Sequence, residues 1–120
     1  MTALDPLPPT IPHAAQAAAA RWGDAPAVLE RGETWSFAEL WQRSRALASA
    51  LIAHGIAPGD RVAIWAPNCR EWIVAALAAI GAGAAVVTLN TRLKGREAGD
   101  ILRRTHATLL FTVTDFLGID

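Results

Sequence analysis

Between residues 55 and 90 the chain alternates short apolar, β-forming runs with a longer run at helical spacing. Residues 62–65 and 84–89 read as buried strands, and residues 69–82 between them read as a helix. This is the β-α-β pattern of a parallel sheet. Punctuation marks each boundary: Pro58-Gly59 before the first strand, Pro67-Asn68 after it, and Gly81 and Gly83 around the end of the helix. The eighteen residues from Trp72 to Leu89 carry no charge, which is the lower edge of a membrane-spanning length. They are mostly alanine, contain Gly81 and Gly83, and turn β-branched at Val86, Val87 and Thr88, so the pattern predicts a buried helix followed by a buried strand and no membrane span.

The flanking segments extend the pattern. Residues 1–9 hold three prolines without periodicity and read as an extended lead-in. Thr10 is placed to cap a helix over 13–22, with Ile11 and Pro12 in its first turn and Gly23 at its end. Residues 27–29 and 34–35 flank Glu30-Arg31-Gly32-Glu33 and predict a β-hairpin, with Gly32 taking a positive φ. Ser36 and Glu39 form a capping-box signature, and Phe37, Leu40, Trp41, Leu47, Ala48 and Leu51 then make one helical stripe that Gly55 ends. Glu39 and Arg43 are spaced to pair on the outer face. Ala57-Pro58-Gly59-Asp60 suits a type II turn, and Asn68 with Glu71 repeats the cap signature. A helix over 95–105 turns Ala98, Ile101 and Leu102 inward and is weakened by Gly95 and Gly99; a third β-rich run covers 108–113, and Thr114-Asp115 starts another helix. The fold class is α/β: a partial parallel sheet in β-α-β-α-β order, preceded by a helix and a small hairpin, over residues 10–120 as one domain that reads as cut short.

Composition adds a partner surface to this picture. Apolar residues make up 52% and charged residues 18%, below the roughly one quarter typical of soluble domains, so another copy of the chain or the remainder of a longer protein is expected to cover part of it. Eleven basic and eleven acidic residues cancel without forming blocks, which disfavours nucleic acid and anionic membrane. Cys69 is the single cysteine; it cannot form an internal disulfide and has no metal-ligand spacing to His13, His54 or His106. It reads as a small buried helix residue in a reducing, cytoplasmic setting, and the N-terminus lacks the pattern of a signal peptide.

Ligands of open parallel α/β sheets gather beyond the carboxyl ends of the strands. The loops Ala66-Pro67-Asn68-Cys69 and Asn90-Thr91-Arg92-Leu93 take that position, and Arg92 is the cation there able to grip a phosphate bidentately. From spacing alone a solvated or structurally paired arginine outweighs that role, Asn68 is a helix cap before it is a ligand, and Asp60 and Arg61 are turn and strand-edge residues. Gly81-Ala82-Gly83 follows a helix, whereas the dinucleotide fingerprint opens one. No Walker-type loop, nucleophile elbow or triad spacing occurs, so no catalytic residue is assigned, and the three histidines read as surface or helix-end residues.

The runs TWSFAEL (34–40), GIAPGDRVAI (55–64), Pro67-Asn68, GAGAAVV (81–87) and Leu89-Asn90 together resemble, in order and spacing, the opening of adenylate-forming acyl-CoA synthetases, over about residues 10–118. Asn90-Thr91-Arg92, Asp100-Ile101-Leu102 and Phe116-Leu117-Gly118 are similar to fatty-acid-type ligases, in particular the branch that activates a bicyclic propanoate left from sterol ring breakdown. The resemblance implies a parent enzyme that uses ATP and Mg²⁺ to turn a carboxylic acid into an acyl-adenylate and then transfers the acyl group to CoA. It implies that the glycine-rich phosphate loop and the lysine of a mobile C-terminal domain lie outside these residues. The 120 residues alone are then expected to be inactive, to bind none of these cofactors tightly, and to partner with the rest of the ligase. Arg92 matches an arginine that contacts the CoA nucleotide phosphate in some relatives. The competing readings are a non-enzymatic, self-associating α/β module and a small stand-alone nucleotide-binding domain.

Overall fold

The computed structural model describes residues 9–114, which leaves most of the expected lead-in and the Asp115 end of the expected last helix outside the described residues. The chain divides into two compact units, one up to Arg43 and one from Ser44 onward.

The first unit holds α1 (Ile11–Trp22), the strands β1 (Pro26–Glu30) and β2 (Glu33–Ser36), and the opening of α2 (Phe37–Ala53). Thr10 sits in extended backbone and its hydroxyl accepts the His13 amide, which satisfies one of the free donors of the first turn. Gly23 closes the helix at φ 26° by donating to the Ala19 carbonyl at 3.0 Å. No residue of α1 is buried, as expected of an alanine-rich helix with little to bury. The antiparallel hairpin turns through Arg31 and Gly32, with φ of 49° and 79°. A two-residue turn with both φ positive follows the right-handed twist of the strands; the positive φ expected at Gly32 is therefore shared by Arg31. The Phe37 and Ala38 amides donate to the Ala25 and Gly23 carbonyls, at 3.1 and 2.9 Å. These bonds tie the start of α2 to the α1–β1 connection, and the Trp22 and Phe37 rings meet at 5.5 Å. Glu39 donates its amide to Ser36 Oγ at 3.1 Å, as the cap signature requires. Arg43, expected beside Glu39, lays its guanidinium 4.3 Å above the Trp35 ring.

The second unit contains the remainder of α2, then β3 (Arg61–Trp65), α3 (Arg70–Gly81), β4 (Ala85–Thr88), α4 (Gly95–Thr105) and β5 (Ala107–Thr112). The three strands form one parallel sheet in the order β4-β3-β5. The expected β-α-β-α-β arrangement is thus present, with β3 in the middle. Val62, Ala63 and Ile64 are 0, 0 and 1% exposed, which explains their unbroken apolar run. Val62 packs with Ala79, Ala84, Leu109 and Phe111, and the same two β5 residues pack against the cluster of Leu51 in α2, Ala78 in α3 and Ala82 just after it, which Leu47 and Ala48 also border. Ala63 points the other way, toward Leu89, Ala98, Ile101 and Leu102 around α4. A register shift at Thr108 places Ala107 on the α4 side and Leu109 on the opposite side, while the Thr108 hydroxyl donates to the Arg61 carbonyl at 3.2 Å.

Two turns lie back to back at the amino ends of β3 and β4. The Ala57–Asp60 turn has Gly59 at φ 89°, the Asp60 amide donating to the Ala57 carbonyl at 3.0 Å, and the Ala57 amide donating to Asp60 Oδ2 at 2.8 Å. Gly59 in turn donates to the Gly83 carbonyl at 2.9 Å. Gly83 has φ 87°, and a Cβ there would stand 3.2 Å from Pro58. Arg61 does more than edge a strand: its Nε donates to the Thr105 carbonyl at 2.7 Å and its Nη1 to the Gly59 carbonyl at 3.2 Å. A cation is thereby placed at the negative end of α4, which His106 closes in the left-handed region at φ 54°.

These two features separate the glycines. Gly83→Ala meets both a left-handed backbone and Pro58 and is expected to lower folding stability by about 1–3 kcal/mol. Gly99→Ala lies inside α4 with only the end of the Arg103 side chain near it and is expected to raise stability by about 0.5–1 kcal/mol. Urea unfolding followed by circular dichroism checks both signs.

Candidate functional site

The carboxyl ends of the parallel strands are Trp65, Thr88 and Thr112, and the connections that leave them are where a ligand would meet helix amino ends. The chain passes from β3 through α3 to β4 on one side, then through α4 to β5 on the other, so the strand order reverses about β3. Arg92 follows β4, which among the described residues pairs only with β3, in the connection to α4. Its position beyond a strand's carboxyl end is as the spacing predicts.

Asn90 organises that connection. Its Oδ1 accepts the Arg92 amide at 2.9 Å, and its carbonyl accepts the Leu93 amide at 3.1 Å. A side chain that bonds the backbone two residues on makes an Asx turn. The Asn90 carbonyl also accepts the Trp65 indole Nε1 at 3.1 Å, which joins the end of β3 to the turn. Leu93 and Leu89, on either side, belong to the apolar cluster around Ala63 and Ala98, as does the Trp65 ring. At the start of α4 the Glu97 carboxylate accepts the Lys94 amide at 3.2 Å. The Arg92 side chain itself is exposed. The structure therefore brings together Trp65, Asn90 and Arg92, of which the sequence pattern singles out Arg92 and gives Asn90 only as part of the loop that carries it. Trp65 went unnoticed as a functional neighbour, although an indole N–H at a strand end needs an acceptor.

The other connection differs from expectation. The residue that precedes α3 in extended backbone is Cys69, at φ −154° and ψ 167°, and no side chain caps the helix from that position. Asn68 lies one residue earlier, in the bend, so its expected capping role passes to Glu71. The Glu71 carboxylate accepts its own amide and the Cys69 thiol, with Arg70 nearby at 3.6 Å. Cys69 is accordingly half-buried at the helix entrance and not a buried residue of the helix interior. His13, His54 and His106 are all exposed, the last two just beyond helix ends. Among the described residues no three of His, Cys, Asp and Glu are grouped so that they could hold a metal ion. No helix among them is long and apolar enough to cross a membrane.

The family model of AMP-binding enzymes matches residues 15–119, and the chain belongs to that family. It is 43% identical over 113 residues to the 3-[(3aS,4S,7aS)-7a-methyl-1,5-dioxo-octahydro-1H-inden-4-yl]propanoyl:CoA ligase of Rhodococcus jostii, and 45% identical over 111 residues to the ligase of the same name from Mycobacterium tuberculosis. These matches cover 94 and 92% of this chain and 22% of each relative, so the chain spans about a fifth of the length of the curated relatives it matches. A long-chain-fatty-acid–CoA ligase of Salmonella typhimurium is 37% identical over 100 residues, 82% of this chain and 18% of that protein. Among solved structures, the o-succinylbenzoate CoA synthetase of Bacillus subtilis, in complex with its acyl-adenylate intermediate, superposes with a TM-score of 0.80 at 30% identity, over 85% of this chain and 27% of that one. The N-terminal subdomain of Klebsiella oxytoca NpsA superposes with the same TM-score at 26% identity, over 85% of this chain and 26% of that one.

Glu71 makes the α3 entrance sensitive to acid. The bond from its own amide, with smaller help from Cys69 and Arg70, outweighs the slight desolvation of this exposed side chain and holds its carboxyl below the ordinary 4.5. A depressed folded pKa contributes stability that is present above the unfolded value and lost as pH falls through the folded one. Folding stability is therefore expected to drop as pH falls below about 4.5, and Glu71→Gln is expected to flatten part of that drop; urea midpoints measured across the acid range check it.

Proposed function

We propose that this chain is the sheet-forming front portion of an ATP-dependent acid–CoA ligase that releases AMP. In that reaction a carboxylate oxygen attacks the α-phosphorus of ATP and displaces pyrophosphate; the CoA sulfur then attacks the acyl carbon and displaces AMP. The observation that carries the reading is the identity of 43 and 45% across almost the whole chain to two ligases of one name. That name also supports the substrate class: a propanoate side chain on a bicyclic indane dione, in preference to a long-chain fatty acid, whose ligases match at 37%. A cytoplasmic site of action accords with substrates of this kind.

Within the ligase these residues build the scaffold and one contact. The exposed Arg92 guanidinium, on a turn whose Arg92 and Leu93 amides are already bonded, suits a phosphate of the CoA nucleotide and can form charge-assisted bonds to it. ATP and Mg²⁺, which supply the activated phosphorus and neutralise its charge, would be held by residues elsewhere in the ligase. The 120 residues alone are then inactive. With β4 and β5 each paired on one side only among the described residues, they associate with the rest of the ligase or, in isolation, with a second copy.

ATP–pyrophosphate exchange tests the reading. The ligase containing these residues is expected to show exchange with the bicyclic propanoate well above that with palmitate, and the 120-residue chain to show none; exchange by the short chain would overturn it. In the ligase, Arg92→Ala is expected to raise KM for CoA about 10- to 100-fold and to leave the exchange reaction unchanged.

A further inference from the structure

The bonds around Asn90 do more than complete a loop. The Asn90 carbonyl uses both of its acceptor positions, one for the Leu93 amide and one for the Trp65 indole N–H, while Oδ1 takes the Arg92 amide. Trp65 is itself immobilised: it ends the central strand, its carbonyl accepts the Thr112 hydroxyl at 2.8 Å, and its ring packs in the cluster of Ala63, Leu89 and Ala98. On the far side of Arg92, the Lys94 amide is held by Glu97 and the Leu93 side chain by the same cluster. The backbone carrying Arg92 is thus pinned from both directions, and only its side chain extends into solvent.

We infer that Trp65 and Asn90 are positioning residues for Arg92, which hold the 90–93 turn so that the guanidinium meets a phosphate of a nucleotide-bearing thiol without the turn having to order on binding. This rests on the reading of Arg92 as a CoA contact. The physical advantage is entropic. Backbone freedom is lost once, on folding, and does not recur as a penalty in each binding event. The inference also accounts for a tryptophan at the last position of β3, where packing alone is met by any large apolar side chain.

Two measurements test it, on variants Asn90→Ala, Asn90→Ser and Trp65→Phe, the last keeping the ring while removing its N–H. Amide hydrogen exchange is expected to show the Arg92 amide opening about tenfold faster in Asn90→Ala, and less so in Trp65→Phe. Steady-state kinetics of the ligase are expected to show KM for CoA raised about three- to tenfold in both, with kcat and pyrophosphate exchange within about twofold of the parent. Asn90→Ser is expected to recover part of the loss, since a serine hydroxyl can bond the same amide more weakly. If Arg92→Ala raises KM for CoA and the Asn90 and Trp65 variants do not, the positioning role is wrong. If Arg92→Ala leaves KM unchanged, the CoA reading of Arg92 fails, and the exchange rates still decide whether Asn90 and Trp65 hold the turn. A fall in kcat and pyrophosphate exchange alongside KM would mark a general structural defect and also overturn the inference.

Discussion

The constraint on which the second unit depends is the lack of space around β3. Val62, Ala63 and Ile64 are enclosed on both faces and paired on both edges, so the helices that cover them come close where they present alanine. Ala75, Ala78, Ala79 and Ala82 supply that on the α3 side, and Ala98 supplies it on the α4 side. Interiors packed at crystal-like density leave a strand in this position no alternative register or rotamer. The carboxyl end of β3 is therefore a fixed point, and Trp65 carries that rigidity out to the Asn90 turn.

The polar groups of the unit serve the same end. Arg61 reaches from the start of β3 to the last turn of α4, and Thr108 and Thr112 donate from β5 to carbonyls of β3. Each bond ties a segment to the central strand at one of its ends, where the apolar contacts thin out. Ion pairs contribute little here. Those of Asp100 with Arg103 and Arg104 are exposed and lie within one helix, a setting in which a pair is worth only a few tenths of a kcal/mol.

Much of the fold was legible in local chemistry. Thr10, Gly23, the Ala57–Asp60 turn and Gly55 act over one to four residues, and their structural roles are those their residue types require. Local chemistry misleads where two neighbours can serve one purpose. Asn68 and Cys69 both precede α3, and the Glu71 carboxylate takes its own amide because the chain enters the helix one residue later than the Asn-Glu spacing suggests. Arg43 had both Glu39 and Trp35 within reach, and the aromatic face across the hairpin was invisible to a helical-spacing argument. Ser44 fell in register with Leu40, Leu47 and Leu51 and is buried, although a hydroxyl gave no reason to include it in the stripe.

The amino-acid sequence by itself determined the kinds of elements, their order and their boundaries to within a residue or two, because strand and helix periodicity and turn chemistry are local. It also placed Arg92 beyond a strand end. Only the tertiary structure decided that β3 lies between β4 and β5, that Thr108 is the extra residue that switches the faces of β5, and that the Trp65 indole reaches the Asn90 carbonyl across 25 positions of chain. Those outcomes depend on which strands share an edge, and edge sharing is settled by the fit of side chains distant in sequence, which no local pattern encodes.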